Sequence, residues 1–303
     1  MRALSEIRAE IDEIDAKMTD LFVRRMRAAE QVAEVKRSAG SPVTNPARER
    51  EVLAGVARSV GPDLENEARL LFTTLMAMSR GRQRSEIAGE GDFAKRFAET
   101  CRATTEQFPA FARVACPDIE GSVCQQAVAR LVQFPTILFF NTPFDAFEAI
   151  AKGMCDCAVL PVETSEGGTD LAAYEQIAVR GFSIVRMMRL RTHRTADGAD
   201  GSARFACIAA KPAVYPDANR FSLMADLYHR PGALNDVLVK FAAIGVNLAK
   251  VESRPIAGSD FTFRFILEFE ASPHDEKVVR LLSALATDPD VENFRFLGAY
   301  SER

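Results

Sequence analysis

The chain has 303 residues, enough for two or three domains with substantial cores, and its formal net charge is −4 at pH 7. With 48% apolar and 26% charged residues it has an ordinary soluble globular composition, and no basic field favours nucleic acid. The N-terminus is charged from Arg2 onward, and no apolar run predicts a signal peptide or a membrane span. Six cysteines without a Cys-x-x-Cys pair and three scattered histidines favour a reducing cytosol and no metal site.

The first predicted element is one long helix from Leu4 to Arg37, uninterrupted by proline or glycine. Apolar residues in its first half alternate at spacings of three and four, namely Leu4, Ile7, Ile11, Ile14, Met18 and Leu21. This spacing is typical of a helix that packs lengthwise against other helices. The same register places Arg25 on the apolar seam, where a buried charge needs a partner.

The spacing of three cations on this helix determines which of them can contact the same small ligand. At about 1.5 Å per residue, Arg25 and Lys36 lie roughly 16 Å apart on nearly the same face, so they could bracket a small anion. Arg8 lies roughly 25 Å from Arg25, so it can join the same site only from a second, antiparallel copy. The alternative is that Arg8 and Lys36 are cations that reach solvent from the helix flank.

A second helix is predicted after the breaker at residues 38–42. Asn45-Pro46 has the residue types of an N-cap followed by the first helical position. Arg48 and Glu49 then fall in the first two turns, and Gly61-Pro62 ends the helix.

A third helix is predicted to begin at Asp63. Its C-terminal half carries Ser79 and Gln83, whose spacing of four residues places them on one face. Residues 1–90 therefore form a predicted segment of three helices, the first of them very long.

This segment resembles the all-helical chorismate mutases over residues 1–88. That family carries arginines early and midway in the first helix, a lysine near its end, an Asp-x-x-Arg-Glu start to the second helix and a Ser-x-x-x-Gln pair on the third. The matching positions here are Arg8, Arg25, Lys36, Asn45, Arg48, Glu49, Ser79 and Gln83. The single departure is Asn45, where the family usually has aspartate, so we expect the helix cap to survive and a substrate hydrogen bond to weaken.

The resemblance implies conversion of chorismate to prephenate, a pericyclic rearrangement that needs no cofactor. Lys36 and Gln83 would donate hydrogen bonds to the ether oxygen, where charge develops as its bond breaks. Glu49 would accept a hydrogen bond from the ring hydroxyl.

The resemblance also implies how the substrate is held. Guanidinium groups suit carboxylates because their planar fork can engage both oxygens, so Arg25 and Arg8 of a second copy would hold the two carboxylates. Arg48, Asn45 and Ser79 would complete the wall. The resemblance therefore implies a homodimer or a higher homo-oligomer, because each site borrows its first arginine from a second copy.

The middle of the chain shows another pattern. Residues 91–110 look like a partly helical linker, and strands and helices alternate after it. The predicted strands are 111–116, 136–140 and 158–162, and the predicted helices are 123–131, 143–152 and 170–179. The alternation predicts a single open α/β lobe over residues 111–212, which resembles one lobe of prephenate dehydratase.

The motifs of that family are altered here. Its Gly-Pro-x-Gly-Thr-x-Ser is Pro117-Asp-Ile-Glu-Gly121-Ser-Val-Cys124, its Pro-Ile-Glu-Asn-Ser is Pro161-Val-Glu163-Thr164-Ser165, and its Thr-Arg-Phe is Ala203-Arg204-Phe205. The family assigns protonation of the leaving group to that threonine, and Ala203 has no proton to give. The short segment 195–201 stands where the family has a second lobe, whose loss would leave the cleft open to water. We therefore expect a truncated, inactive lobe.

The last segment, residues 219–303, has the predicted order βαββαβ and resembles an ACT domain. The predicted strands are 221–228, 246–253, 261–270 and 291–297, and the predicted helices are 231–244 and 274–286. Two stretches match the motifs by which dehydratase-linked ACT domains bind phenylalanine, namely Gly232-Ala233-Leu234 and Glu252-Ser253-Arg254-Pro255. Glycine at a helix start allows close approach of a ligand to free N–H groups, which suits a carboxylate.

The sequence thus predicts a multidomain protein: an all-α three-helix unit, a single α/β lobe and an α+β domain. We expect a chorismate mutase with L-phenylalanine as effector and with no nucleic-acid or membrane partner. Two alternatives stay open. One is an active bifunctional chorismate mutase/prephenate dehydratase, and the other is a non-catalytic amino-acid sensor that uses the helical segment only to dimerise.

Overall fold

The computed structural model describes residues 2–88, 92–105, 107–194, 200–256, 258 and 262–302. The chain divides into two compact units, Met1–Gly91 and Asp92–Arg303. No helix in the described part of the chain is both long enough and apolar enough to cross a membrane.

The first unit consists of the three predicted helices. They are α1 (Leu4–Ala39), α2 (Pro46–Val60) and α3 (Glu65–Ala88), with a 3-10 turn at Pro62–Leu64. Gly40 ends α1 in the left-handed conformation with φ 61°, which glycine adopts without the steric cost of a Cβ atom. Asn45 caps α2 by accepting a hydrogen bond from the Arg48 N–H at 3.1 Å. The predicted breaker and cap are both confirmed.

The seam on the first half of α1 is exposed within this chain. Its six apolar residues, Leu4, Ile7, Ile11, Ile14, Met18 and Leu21, are between 39% and 62% exposed. The α3 helix packs against α1 further along, where Ala29 and Ala33 are buried. The predicted lengthwise packing of the first half therefore has no partner in the described part of the same chain.

The second unit begins with alternating helices and strands. They are α4 (Asp92–Ala103), β1 (Phe111–Cys116), α5 (Val123–Leu131), β2 (Phe134–Phe139), α6 (Pro143–Ala151), β3 (Cys157–Thr164), β4 (Gly168–Thr169), α7 (Leu171–Arg180), β5 (Ser183–Arg194) and β6 (Asp200–Ala209). The β1 strand pairs in parallel with β2 and β3, and β6 is antiparallel to β3 and β5. The α/β lobe is thus present, with two strands after α7 that the sequence pattern did not predict.

The C-terminal part has the predicted βαββαβ order. Its elements are β7 (Arg220–Tyr228), α8 (Ala233–Ala243), β8 (Leu248–Pro255), β9 (Thr262–Glu270), α9 (Glu276–Ala286) and β10 (Val291–Glu302). The strands are antiparallel in the order β10-β7-β9-β8. Both helices pack on the sheet face that carries Phe221, Phe265 and Phe269.

The predicted boundary between residues 111–212 and 219–303 does not separate two compact bodies. The β10 strand runs to Glu302 rather than ending at residue 297, and its last residues pair in parallel with β5 through Ser301 and Arg186. A Cβ atom at Gly298 would lie 2.1 Å from the Ile184 carbonyl oxygen, so glycine is needed where the strands meet. One ten-stranded sheet therefore joins both segments.

The predicted linker at 91–110 also needs correction. Its first half is α4, whose Phe97 is buried in the core of the second unit. Phe93 packs edge-on against Phe294 and Phe296, with ring centroids 5.8 Å and 5.6 Å away. The spacing of four residues between Phe93 and Phe97 puts both rings on one helix face, so this stretch belongs to the second unit.

Candidate functional site

A cavity of about 260 Å³ lies among the three helices of the first unit. It is lined by Arg25, Val32, Lys36, Val43, Asn45, Arg48, Glu49, Val52, Met76, Ser79, Arg80 and Gln83. Seven of the eight site residues predicted from the sequence are in this lining, and Arg8 is the exception.

Arg25 forms one wall of this cavity. Its Nη1 donates to the Leu75 carbonyl oxygen at 2.7 Å and to the Ser79 hydroxyl. Burial lowers the pKa of Arg25 from its ordinary value, because desolvation disfavours the charged form. Within the described part of the chain, no carboxylate forms an ion pair with Arg25, so its charge is available to an anionic ligand.

Lys36 and Gln83 lie together at another part of the lining. Lys36 Nζ donates to the Val43 carbonyl oxygen and to Gln83 Oε1, the latter at 3.3 Å. Gln83 and Ser79 are both buried on α3, so their positions are held by packing. The arrangement places an ammonium and a carboxamide where both can donate to one ligand oxygen.

The start of α2 contributes the polar side chains of the remaining wall. Arg48 donates to Glu51 at 2.6 Å on the exposed surface of the helix. Glu49 instead accepts from Arg80 Nη1 at 2.7 Å, across the contact between α2 and α3. Arg80 was not predicted as a site residue. Its spacing of three residues from Gln83 is the signal that could have placed it on the same face.

Arg8 lies on the exposed first half of α1, outside this lining. Because α1 is continuous over both residues, a rise of about 1.5 Å per residue separates Arg8 from Arg25 by roughly 25 Å. The structure thus brings seven predicted residues together and leaves Arg8 away from them within one chain.

A second cavity, of about 530 Å³, lies in the sheet unit. Its charged lining comprises Glu163, Arg189, Arg204, Arg220, Lys250, Glu252, Arg254, Glu268 and Glu302. Residues from three separately predicted motifs meet here, because Glu163 and Arg204 come from two motifs of the lobe and Glu252 and Arg254 come from the motif on β8.

Arg204 is the centre of an ionic network at the base of this cavity. It is 5% exposed and contacts Glu163 at 3.1 Å, Glu268 at 2.9 Å and Glu302 at 2.8 Å. Burial alone would lower the pKa of Arg204, but the charge and hydrogen bond of Glu268, together with the charges of its other neighbours such as Glu302, outweigh burial, and the pKa is raised. The network joins the lobe to the C-terminal strands, since Glu268 lies on β9 and Glu302 on β10.

Lys250 of β8 adds a second cation to this network. It donates to Glu163 at 2.8 Å and to the Thr169 hydroxyl, and its Nζ lies 3.5 Å from Glu252. Burial alone would raise the pKa of Glu163, but the hydrogen bonds and charges of Lys250 and Arg204 together lower it below its usual range. Glu163 is therefore an ionised carboxylate whose Oε2 accepts from both Lys250 and Arg204.

The predicted effector residues fall into two groups. Gly232 precedes α8 with φ 82°, Ala233 begins the helix, and Leu234 packs against the core beneath it. On β8, Ser253 pairs with Phe265 of the helix-covered face, whereas Glu252 pairs with Ile266 of the opposite face. Pro255 ends β8 opposite Phe263, at the same end of the sheet as the start of α8.

The altered dehydratase motifs are engaged in structural contacts. Ala203 is buried in an apolar cluster with Leu190 and Phe205. Ser165 exchanges hydrogen bonds with the Ser202 backbone, at 3.0 Å to its hydroxyl and 2.8 Å from its N–H. Residues 195–199, within the predicted short segment, lie outside the described residues, and β5 and β6 on either side pair down to Arg194 and Asp200.

The described residues include no group of three His, Cys, Asp or Glu side chains that could hold a metal ion. The cysteines among them are free, including the buried pair Cys157 and Cys207.

Comparisons with known proteins agree with this division of the chain. Residues 7–84 match the family chorismate mutase type II. The chain is 22% identical to the bifunctional chorismate mutase/prephenate dehydratase of Aquifex aeolicus, over 99% of this chain and 98% of that one.

Two solved structures show the fold of the second unit. Prephenate dehydratase from Streptococcus mutans has a TM-score of 0.52 at 23% identity, over 63% of this chain and 98% of that one. Prephenate dehydratase from Arthrobacter aurescens, solved in complex with L-Phe, has a TM-score of 0.51 at 18% identity, over 62% of this chain and 89% of that one. At 23% and 18% identity, both similarities show a shared fold only.

Proposed function

We propose that this chain, a chorismate mutase type II domain joined to a region homologous to prephenate dehydratases, converts chorismate to prephenate in its helical unit. The observation that carries the proposal is the convergence of seven predicted residues on one cavity. They come from three helices, and a merely structural role would not require them to meet.

The charge of the cavity suits a dicarboxylate. Its lining contains four cations, Arg25, Lys36, Arg48 and Arg80, and one carboxylate, Glu49. Arg25 is engaged only by neutral oxygens within the described part of the chain, so a substrate carboxylate would complete its coordination. Arg48 would turn from Glu51 toward the second carboxylate, an exchange of one exposed partner for another.

The rearrangement needs charge stabilisation at the ether oxygen and no proton transfer. Lys36 and Gln83 are already held at one place by their mutual contact and by the Val43 carbonyl. Donors that are fixed before the reaction stabilise the developing charge without reorganising. The apolar side chains of Val32, Val52 and Met76 restrict water and favour the compact substrate conformer.

Asn45 has a reduced role in this proposal. Its Oδ1 is occupied as the cap of α2, so only the amide nitrogen remains for substrate. An aspartate here would offer a second charged oxygen. The remaining contact with the ring hydroxyl would therefore come from Glu49.

A homodimer supplies Arg8 in this proposal. The six exposed apolar residues on the first half of α1 form a continuous helical seam that a second copy could cover. In an antiparallel arrangement the Arg8 end of one α1 lies near the Arg25 region of the other. The site would then contain residues from both chains.

The proposal is tested by incubating the purified protein with chorismate and no added cofactor. We expect chorismate to be consumed and prephenate to accumulate, with no phenylpyruvate above the buffer control at neutral pH. Separation of the products by liquid chromatography measures both, and Arg25→Ala gives the background. Wild-type consumption no faster than that of Arg25→Ala would contradict the mutase assignment.

Loss of dehydratase activity is supported by three features of the lobe. Ala203 is packed in an apolar cluster, Ser165 is engaged by the Ser202 backbone, and Glu163 is clamped by two cations. The match to the Aquifex aeolicus protein extends over 362 aligned positions, 59 more than the 303 residues of this chain. A missing second lobe would account for that excess.

The alternative is an active bifunctional enzyme, which the two activities named for that relative favour. Phenylpyruvate formation that saturates with prephenate and falls in Glu163→Gln would establish it. A non-catalytic sensor is the remaining alternative. A cavity that retains Lys36, Glu49 and Gln83 speaks against it, because dimerisation requires none of these three residues.

We also propose that the C-terminal segment is an ACT domain that binds L-phenylalanine. Its antiparallel strand order and two covering helices support the assignment, and a protein of similar fold is known in complex with L-Phe. Gly232 and Leu234 would present free N–H groups to the amino-acid carboxylate, with Ala233 between them holding the turn by donating its own N–H to the Arg230 carbonyl oxygen at 3.1 Å. Ser253 lies on the same sheet face. Glu252 and Arg254 would act indirectly, through the polar cavity, with Pro255 at the strand end.

Titration calorimetry tests this binding. L-phenylalanine should release or absorb heat with the wild type and give none with Gly232→Val, whose side chain would strain the positive φ and obstruct the helix start. Gly181→Val is the matched control, since Gly181 ends α7 at φ 68° far along the chain from both motifs. Equal heats for Gly232→Val and the wild type would contradict the assignment.

A further inference from the structure

Arg80 and Glu49 form an ion pair inside the lining of the helical cavity. Arg80 Nη1 lies 2.7 Å from Glu49 Oε1, and the two side chains are 14% and 28% exposed. The contact joins α3 to α2, and both residues line the cavity.

We propose that Arg80 is a positioning residue for Glu49, an inference that rests on the proposed mutase function. The contact engages only Oε1 of Glu49, and no other described residue donates to Oε2. Oε2 is therefore left to accept a hydrogen bond from the substrate ring hydroxyl. A charge-assisted hydrogen bond to one oxygen fixes the rotation of the carboxylate and so the direction of the other.

The Arg80–Glu49 pair is partly buried, so it can position a side chain more effectively than a surface ion pair can. Exposed ion pairs contribute little because water and salt screen them. In the half-buried wall of a cavity the same contact is less screened and loses less side-chain freedom. Glu49 has no other ion-pair partner among the described residues, so its orientation depends on Arg80.

The chain contains a matched control in Arg82, which lies two residues further along α3. Arg82 Nε donates to Glu30 of α1 at 2.6 Å, so this pair also joins two helices. Neither Arg82 nor Glu30 lines the cavity. The Arg82 side chain is 56% exposed and that of Arg80 is 14% exposed, so Arg82→Leu controls for the loss of an interhelical ion pair as such, and dependence of the Arg80 effect on Glu49 distinguishes positioning from a structural role.

The experiment is a double-mutant cycle on kcat/KM for chorismate. Arg80→Leu should lower kcat/KM about tenfold, and Glu49→Gln should lower it at least as much. The double variant should resemble Glu49→Gln alone, because Arg80 acts through that carboxylate. Arg80→Lys should recover part of the loss by keeping one charged donor, and Arg82→Leu should match the wild type.

Thermal unfolding by circular dichroism identifies variants that fail to fold. If Arg80→Leu is one of them, Arg80→Lys is compared with the wild type instead. Arg80→Leu within twofold of the wild type, or losses that multiply in the double variant, would overturn the inference while leaving the mutase assignment intact. A wild type that does not consume chorismate would overturn the proposed function and, with it, this inference.

Discussion

Lys36→Ala is expected to lower kcat/KM for chorismate by about 10²-fold or more, the scale for removing one preorganised donor from a site of developing charge. Lys36 is held by the Val43 carbonyl and by Gln83, so its ammonium is already directed into the cavity. Alanine would leave Gln83 as the remaining donor at that place. Continuous measurement of chorismate loss gives kcat and KM separately.

The control for this variant is Arg37→Ala. Arg37 is the next residue of α1, but its exposed side chain pairs with Glu34 outside the cavity. Its loss should leave kcat/KM within about twofold, because exposed ion pairs contribute little. Equal activities for Lys36→Ala and Arg37→Ala would show that the cavity is not where chorismate reacts.

The helical unit was predictable because several local signals agree. The spacing of apolar residues predicts one long α1, Gly40 falls in the predicted breaker, and Asn45-Pro46 predicts the start of α2. These signals act within one or two helical turns and need no tertiary contact. The prediction that these residues share one site came instead from the family resemblance, since no local pattern links residues on three helices.

The contact between Arg80 and Glu49 could not be predicted from local sequence patterns. The two residues are 31 positions apart, and they meet only when α2 packs against α3. The same limit applies to the join between β5 and β10, whose residues Arg186 and Ser301 are distant along the chain. Non-local pairings of this kind depend on the packing of whole elements, and the sequence pattern of either strand does not specify its partner.

The division of the effector motif was, by contrast, within reach of the sequence. Adjacent residues of a strand point to opposite faces, so a contiguous motif on a strand cannot present all its side chains to one ligand. Ser253 and its neighbours Glu252 and Arg254 therefore had to separate once β8 formed. The structure shows where Glu252 and Arg254 lie, which is in a charged cavity that Glu163 of the lobe also lines.

Mixing two inactive variants, Arg8→Ala and Lys36→Ala, is expected to restore activity after subunits exchange. Arg8 lies roughly 25 Å along α1 from Arg25, so it reaches the cavity only from a second copy. In a mixed dimer one site takes both defects and the other takes neither. Random exchange makes half of the dimers mixed, so about a quarter of the wild-type activity should return.

The control mixture is Arg25→Ala with Lys36→Ala. Both residues line the cavity of the same chain, so every site in a mixed dimer keeps one defect and activity should stay low. Native mass spectrometry of size-tagged chains confirms that mixed dimers have formed. If those dimers are present and the Arg8→Ala mixture is still inactive, each site is built from one chain, and the exposed seam of α1 has another purpose than sharing a catalytic arginine.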